Sequence, residues 1–434
     1  MTIIRARVLD TPDDPSAGGE LRSDEDVSFL LTDGVIAQRG DHATIRAAHP
    51  DVEVLDLRDG VLLPGLVDTH VHYPQVRAMG ALGMPLLEWL DQCALPEEAR
   101  LAEPAYAAAV AEEFVAGLVA AGTTTALVFG SHFAPAVDAL FSRAEQVGLR
   151  VTSGLVVSDR NLPSALLTTP ERAYDESVAL AARWHGRGRL RYAVTPRFSY
   201  STSDAVLAAC GAVHAEVGGS WFTSHLNESV AEVGEVARLF PGSRHYVDTY
   251  DRHGLVGARS VLAHNVHPTD DELRVLGARG ASVAHCPTSN AALGSGLFPL
   301  LRHRQHGIRV ALGSDVGAGT GFSLFKEGLQ AYFHQRLLGP EGPLTSTDLL
   351  HLATAAGAQA LGLADEVGDL SEGKQFDATW VRPRAGDALD LCLRHASSPE
   401  DALAKIFALG HDSDVAGVWV GGRRVRTEWS GVSP

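Results

Sequence analysis

The stretch Leu63-Pro-Gly-Leu-Val-Asp-Thr-His-Val-His-Tyr-Pro-Gln75 decides the fold, because an apolar run ends there in two closely spaced histidines. Residues 62–70 are predicted to form a buried strand with Pro64 and Gly65 near its start, since both residues are poorly tolerated inside a central strand. Side chains two positions apart on a strand point to the same face. His70 and His72 should therefore converge at the strand end, as half of a zinc site. The alternative is a pair of histidines that lines a core.

The middle of the chain alternates apolar runs with helical patterns rich in Ala, Leu and Glu. The expected strands are residues 62–70, 124–129, 150–157, 190–197, 221–227, 260–265, 281–286 and 309–314. A strand and helix alternating in this way predict an α/β fold, a (β/α)8 TIM barrel. A doubly wound sheet would alternate similarly, but the barrel is favoured because the candidate chemical groups follow many different strands. One further helix is expected over residues 347–361, and Thr269 with Glu272 is typical of a capping box.

Both ends of the chain read differently, as short alternating runs separated by Gly, Pro and Asp. This pattern is typical of small strands and turns. We therefore expect residues 1–62 and 370–434 to form one small β-sandwich-like module from both termini. Residues 63–369 would form the metal-dependent hydrolase barrel. The alternative is two unrelated extensions at the edge of the barrel.

Composition excludes several classes of protein. The chain has 434 residues and a formal net charge of −17 without a basic run, so nucleic acid and anionic membranes are not expected partners. No uncharged apolar stretch reaches the length of about 18 residues that a membrane span needs. The four cysteines form no Cys-x-x-Cys pair, and residues 1–8 show no signal pattern. We expect reduced thiols and a cytoplasmic protein.

Metal-binding residue types close four of the predicted strands. His70 and His72 follow the first apolar run, and His225, His264 and Asp315 each follow a later one. In a barrel the carboxyl ends of the strands meet at one face, where catalytic groups lie. Imidazoles with one carboxylate can hold a divalent ion such as zinc. No lysine lies at the end of the fourth strand to bridge a second ion, so one ion per chain is expected.

These residues resemble the amidohydrolase superfamily, and further motifs are similar to the guanine deaminase family within it. The motifs are Pro64-Gly-Leu-Val-Asp-Thr-His-Val-His-Tyr-Pro-Gln75, Pro85-Leu-Leu-Glu-Trp-Leu90, Thr195-Pro-Arg-Phe-Ser199, Ser224-His-Leu-Asn-Glu228, His285-Cys-Pro-Thr-Ser-Asn290 and Gly313-Ser-Asp-Val316. The resemblance runs through residues 60–340 and more loosely through the termini. It implies a zinc-dependent aminohydrolase of purine catabolism that converts guanine to xanthine and ammonia, in a homodimer.

The resemblance also implies roles for the metal-site residues. His70, His72, His225 and Asp315 would ligate the ion, and Asp315 would accept a proton from the attacking water. His264 would hydrogen-bond that water, although the sequence leaves open a role as a further ligand. Glu228 would carry a proton to a ring nitrogen and then help the amine to leave. The alternative for Glu228 is a solvated residue at a helix N-terminus.

Substrate contacts follow from the more specific motifs. Gln75 and Arg197 would read the edge and carbonyl of the purine, because the amide donates and accepts while the guanidinium only donates. Phe198, Leu86 and Trp89 would stack on the ring or form the pocket wall, and for each of them plain packing is the alternative. A deaminase of 8-oxoguanine, a triazine, S-adenosylhomocysteine or a thiolated adenosine would use the same metal set. A non-catalytic scaffold of the superfamily is the alternative from another class.

Overall fold

The computed structural model describes residues 1–339 and 344–425. The strands are β1 Thr2–Asp10, β2 Arg22–Thr32, β3 Val35–Gly40, β4 Val54–Asp56, β5 Val61–Pro64, β6 Leu66–His72, β7 Thr123–Phe129, β8 Arg150–Gly154, β9 Val156–Val157, β10 Leu190–Pro196, β11 Trp221–Leu226, β12 Ser260–His264, β13 Ser282–His285, β14 Arg309–Leu312, β15 Ala378–Val381, β16 Val415–Val420 and β17 Arg423–Val425.

The helices are α1 His42–Ala48, α2 Leu86–Trp89, α3 Leu95–Ala99, α4 Pro104–Ala120, α5 Ala134–Val147, α6 Pro170–Trp184, α7 Asp204–Glu216, α8 Val230–Leu239, α9 Tyr246–Asp251, α10 Asp270–Arg279, α11 Pro287–Ala292, α12 Leu300–Gln305, α13 Leu324–Leu338, α14 Ser346–Ala353, α15 Ala355–Ala360, α16 Ala388–Arg394 and α17 Pro399–Leu409. A π-helical turn, Leu90–Ala94, joins α2 to α3. Thr269 and Glu272 form the predicted capping box at the start of α10. Among the described residues, no helix has the length and apolar character needed to cross a membrane.

The barrel follows the order β6, β7, β8, β10, β11, β12, β13, β14, and each strand is parallel to the next. Hydrogen bonds bring its first and last strands together, since Asp315 N donates to His70 O at 2.8 Å and His72 N donates to Val316 O at 2.9 Å. The predicted (β/α)8 barrel is confirmed. Its geometry places the carboxyl ends of all eight strands around one opening.

The second sheet has the order β17-β16-β15-β5-β1-β2-β3, and β4 pairs with β1. Its inner face is apolar, with Phe29, Phe376 and Trp419 packed together in one buried cluster. Both ends of the chain build this sheet, as the sequence predicts. Residues 426–434, which the predicted module includes, lie outside the described residues.

Two expected strands are each divided in the structure. Residues 62–70 fall in both sheets, since β5 pairs antiparallel with β15 whereas β6 enters the barrel. The chain crosses between them at Gly65, whose N–H donates to Asp377 O at 2.8 Å. A Cβ atom there would lie 2.2 Å from Thr124 Oγ1, so the passage requires glycine. Residues 150–157 are likewise divided into β8 and β9, and the prediction of a single strand is wrong in both places.

The helix expected over residues 347–361 is also two helices, α14 and α15. The backbone leaves the helical region at Thr354, with φ −135° and ψ −88°. The Thr354 hydroxyl donates to Leu350 O at 2.6 Å. Such local bonds from Thr side chains to the preceding turn compete with regular helix geometry. The apolar spacing of the segment carried no sign of this break.

Candidate active site

Four ligand atoms meet at the carboxyl ends of the barrel strands, from residues that we call the metal cluster: His70, His72, His225 and Asp315. His72 Nε2 lies 3.1 Å from His70 Nε2 and 3.2 Å from His225 Nε2. Asp315 Oδ1 lies 3.2 Å from Nε2 of both His70 and His72. Ligands about 2.0–2.1 Å from a zinc ion stand about 3.3 Å apart in a tetrahedral site. The spacing of the cluster therefore fits a metal ion of this size.

The protonation of the metal cluster also suits a cation. Burial lowers the pKa of His72 to about 4 and that of His225 well below its ordinary value, so both rings are neutral at pH 7. His225 Nδ1–H donates to Arg197 O at 2.6 Å, which leaves the Nε2 lone pair facing the cluster. Burial opposes ionisation of Asp315, but the neighbouring His70 and His72 hold its pKa well below the ordinary value. The cluster thus offers the neutral imidazoles of His72 and His225 and one carboxylate.

His264 borders the same point. Ligand atoms of His70, His225, His264 and Asp315 all lie within 4.8 Å of one another. His264 Nε2, however, is 3.8 Å from Asp315 Oδ2, farther than the contacts that His72 makes. Its other nitrogen, Nδ1, donates to Asn290 Oδ1 at 3.0 Å. These distances favour His72 as the third imidazole of a metal site and place His264 as a neighbour, with its Nε2 3.5 Å from Glu228 Oε2.

Unusual backbone conformations hold these strand ends. His264 and Asp315 have φ values of +71° and +48°, in the left-handed region that non-glycine residues rarely adopt. Such strain persists where the surrounding structure imposes it, and it concentrates at functional sites. Asp68, fully buried, ties two of these strand ends together, because its Oδ1 accepts from both His70 N and Ser314 N, at 3.1 and 3.0 Å. Asp68 was not identified as a site residue from the sequence, although it lies inside the opening motif.

Glu228 lies beside the metal cluster. It is 3% exposed, and its Oε2 is 3.5 Å from His264 Nε2. Burial raises the pKa of Glu228 well above its ordinary value, and the nearby charges of Glu232 and Asp315 add to the effect. Its buried position argues against the alternative of a solvated residue at the start of α8. The site therefore contains two carboxyl groups whose pKa values are displaced in opposite directions, a feature of paired acids and bases.

Gln75 and Arg197 meet on one side of the metal cluster, joined by a residue that the sequence did not reveal. Glu98, at 2% exposure, accepts hydrogen bonds from Gln75 Nε2 and Arg197 Nη1, both at 2.7 Å. We call Gln75, Glu98 and Arg197 the substrate wall. Glu98 falls in the pair Glu97-Glu98 of an otherwise ordinary helical stretch. No periodicity distinguishes the buried member of that pair from the outer one.

The predicted apolar residues of the pocket also come together. Leu86, Trp89 and Phe198 belong to one buried cluster that also contains Ala318, three residues after Asp315. The ring of Phe198 lies 6.1 Å from that of His225, centroid to centroid. Trp89 Nε1 is buried without a hydrogen-bond partner among the described residues. These side chains line the same end of the barrel as the metal cluster.

The chain belongs to the amidohydrolase family, whose model matches residues 61–425. It is 60% identical over 429 residues to a probable guanine deaminase of Deinococcus radiodurans, covering 97% of this chain and 98% of that protein. Its fold superposes on the solved structure of guanine deaminase from Escherichia coli with a TM-score of 0.95, at 37% identity, covering 98% and 99% of the two chains. An adenosine deaminase from Xanthomonas campestris with bound zinc is more distant, with a TM-score of 0.84 at 25% identity over 98% of this chain and 92% of that one.

Proposed function

We propose that this protein is a zinc-dependent guanine deaminase, which adds water to guanine and releases xanthine and ammonia. The observation that carries the proposal is its likeness to guanine deaminases along nearly the whole chain. The metal cluster and the substrate wall, side by side at one end of the barrel, support the same reaction. The more distant adenosine deaminase with bound zinc supports the choice of metal. We assign one ion per chain to His70, His72, His225 and Asp315.

The chain's own residues divide the proton transfers. A zinc ion held by His70, His72, His225 and Asp315 would supply Lewis acidity, which favours ionisation of water near neutral pH. Asp315 is ionised and accepts the proton of the attacking water, while His264 Nε2 orients that water. Glu228 holds a proton, since its pKa is raised, and delivers it to the ring nitrogen beside the carbon that carries the amine. The carbon is thereby made electrophilic.

Collapse of the adduct completes the reaction. In the adduct the oxygen of the water is bonded to this carbon. Its remaining proton passes through Glu228 to the amine, the carbon–nitrogen bond breaks, and ammonia leaves as the ring carbonyl forms. The proton that Asp315 accepted returns to Glu228, so both carboxyl groups end as they began. Guanine and water are thus converted to xanthine and ammonia with no other reactant. Leu86, Trp89 and Phe198 enclose the ring, and Arg197 and Gln75 fix its orientation. Orientation matters because a ring held in the wrong pose presents a different carbon to the water.

The test is ammonia release from a panel of amino-substituted rings: guanine, 8-oxoguanine, cytosine, adenine, ammeline and S-adenosylhomocysteine, each with and without a chelator. Chelator-sensitive turnover of guanine far above the others supports both the substrate and the metal. Preference for another ring would keep the chemistry and refute guanine as the substrate. No turnover by metal-loaded protein would favour the scaffold alternative.

The assembly and compartment predicted from the sequence are also proposals. Three apolar side chains on α13 are exposed, Phe333 by 45%, Leu337 by 74% and Leu338 by 51%, which supports the expected homodimer. Light scattering of the purified protein measures its mass directly. All four cysteines are free thiols, consistent with the reducing cytoplasm.

A further inference from the structure

Glu98 is a buried acid that the proposed chemistry leaves without a role. It lies on α3, at the end of the helical segment that follows β6. Its side chain is 2% exposed and that of its partner Arg197 is 3% exposed. A buried carboxylate is retained only where a cation or several hydrogen bonds compensate for its lost hydration. The partners of Glu98 should therefore indicate its role.

Both partners are the residues proposed to read the purine. Arg197 Nη1 donates to Oε1 and Oε2 of Glu98, each at 2.7 Å. Gln75 Nε2 donates to Glu98 Oε1 at 2.7 Å and lies 3.3 Å from His72 Nδ1, and Gln75 Oε1 accepts from Gly317 N at 3.2 Å. If the Gln75 amide were reversed, its oxygen would face the carboxylate of Glu98 and its N–H groups would face the N–H of Gly317, and both pairs would repel. Glu98 and Gly317 thus allow one orientation of that amide.

The charges of the groups around Glu98 also identify Arg197 as its main partner. Burial works to raise the pKa of Glu98, but Arg197, the hydrogen bond from Gln75 and other nearby groups together outweigh it, so the pKa of the carboxyl lies below its ordinary value and the pair stays ionised. His132 Nδ1 is 3.4 Å from Glu98 Oε2, yet burial lowers the pKa of His132 to about 4, so this ring is neutral at pH 7. Arg197 is therefore the one full positive charge that touches Glu98 among the described residues.

The remaining donors of Arg197 define what the pair can recognise. A guanidinium carries five N–H groups, and Nη1 holds two of them. Nε and Nη2 make no hydrogen bond to any described residue, which leaves them to a substrate acceptor. A ring carbonyl is such an acceptor. Glu98 itself has its oxygens engaged by Arg197 and Gln75.

We propose that Glu98 is a positioning residue that sets substrate selectivity by holding the guanidinium of Arg197 in the orientation that reads the ring carbonyl of guanine, with the Gln75 amide fixed beside it. The inference rests on the proposed function. It predicts that the effect of Glu98 depends on the carbonyl. 2-Aminopurine has the same amine but no carbonyl, so its binding and turnover should not depend on Glu98.

The test is a double-mutant cycle with both purines. We would measure kcat and KM for guanine, and for 2-aminopurine either turnover or its competitive inhibition constant, in the wild type, Glu98→Gln, Arg197→Ala and the double variant. Glu98→Gln should lower kcat/KM for guanine about 10- to 100-fold, mainly through KM. The constants for 2-aminopurine should change less than about threefold. The double variant should be no worse than Arg197→Ala, because coupled residues are not additive.

Controls separate this role from a structural one. Glu97→Gln changes the neighbouring acid, which is bonded to Tyr106 and Arg100, and should behave as wild type. Metal content should be unchanged in every variant. If Glu98→Gln does not fold, Glu98→Asp keeps the charge and the double variant removes both charges, and the same dependence on the carbonyl is expected of each. Equal losses on both purines, or additive effects, would overturn the inference. A wild type inactive on guanine would instead refute the proposed function.

Discussion

The metal cluster and the substrate wall lie next to each other but are held in different ways. The metal cluster comes from the ends of β6, β11 and β14, where the hydrogen bonds of the parallel sheet fix the backbone. The substrate wall joins residues that follow β6 and β10 to a helix inserted after β6, through side-chain hydrogen bonds at Glu98. One region is placed by the sheet and the other by a buried ion pair.

This difference separates chemistry from selectivity. A side-chain change at Glu98 or Arg197 leaves the strand ends in place, so the metal cluster can stay intact while the preferred ring changes. Gln75 is the point where the two regions touch, because its Nε2 lies 3.3 Å from His72 Nδ1. A change in the metal cluster removes the reaction for every ring. The two regions should therefore respond to substitution in distinct and measurable ways.

The largest effect is expected for His70→Ala. Removal of one ligand should empty the metal cluster and reduce turnover of every substrate to that of chelator-treated enzyme. Loss of several kcal/mol of transition-state stabilisation corresponds to a rate decrease on the order of 10⁴-fold. Metal analysis and ammonia release on the same preparation measure both quantities. A variant that kept its full metal content would contradict the assignment of His70 as a ligand.

The next effect is expected for Glu228→Gln. The amide keeps the shape of the side chain but cannot donate an acidic proton, so kcat should fall about 10²- to 10⁴-fold. KM and metal content should stay near wild type, because the metal cluster and the substrate wall are both untouched. Glu235→Gln, in the helix that follows and paired with Arg238, is the matched control. Nearly normal turnover by Glu228→Gln would exclude the residue as the proton carrier.

The metal cluster and the barrel were easier to predict from the sequence than the substrate wall. His70, His72, His225, His264 and Asp315 could be found because each is a polar residue that closes an apolar run, and parallel strands bring such positions together. The barrel was predictable for the same reason. The bends at Gly65 and Thr354 were not, because they arise from contacts with Thr124 and Leu350 rather than from local pattern.

The substrate wall was predictable only in part. Motifs named Gln75 and Arg197 as candidates, and the structure brings these two side chains together at Glu98. Glu98 was missed because burial of one member of an acidic pair depends on the tertiary path of α2 and α3. Glu97 and Glu98 are chemically identical, and only Glu98 faces the guanidinium of Arg197. Asp68 was missed for a related reason, since its partners Ser314 and His70 N become neighbours only when the barrel closes.

The smallest effect concerns His303, a barrel histidine outside the metal cluster. Its Nδ1 donates to Pro299 O at 2.9 Å and its Nε2 accepts from Asn265 Nδ2 at 2.8 Å, so the neutral ring is fully bonded. Burial lowers the pKa of His303 to about 4, below the ordinary 6.5. Between these values the unfolded chain binds more protons, so the stabilising contribution present at pH 7 is lost as the pH falls.

The expected loss from His303 between pH 7 and pH 5 is on the order of 2 kcal/mol in the free energy of unfolding. His303→Gln can keep a donor and an acceptor without titrating, so its stability should fall less over this range by about that amount. Urea unfolding of the wild type and His303→Gln, both treated with chelator, at pH 7 and pH 5 measures this difference. The other histidines are present in both proteins, so their contributions cancel in the comparison. Glu98 does not interfere, since its lowered pKa confines its contribution to more acidic conditions. Equal pH dependence in the two proteins would show that His303 is not held neutral. Metal content close to wild type in His303→Gln would separate this histidine from His70, because it supports the barrel without holding the ion.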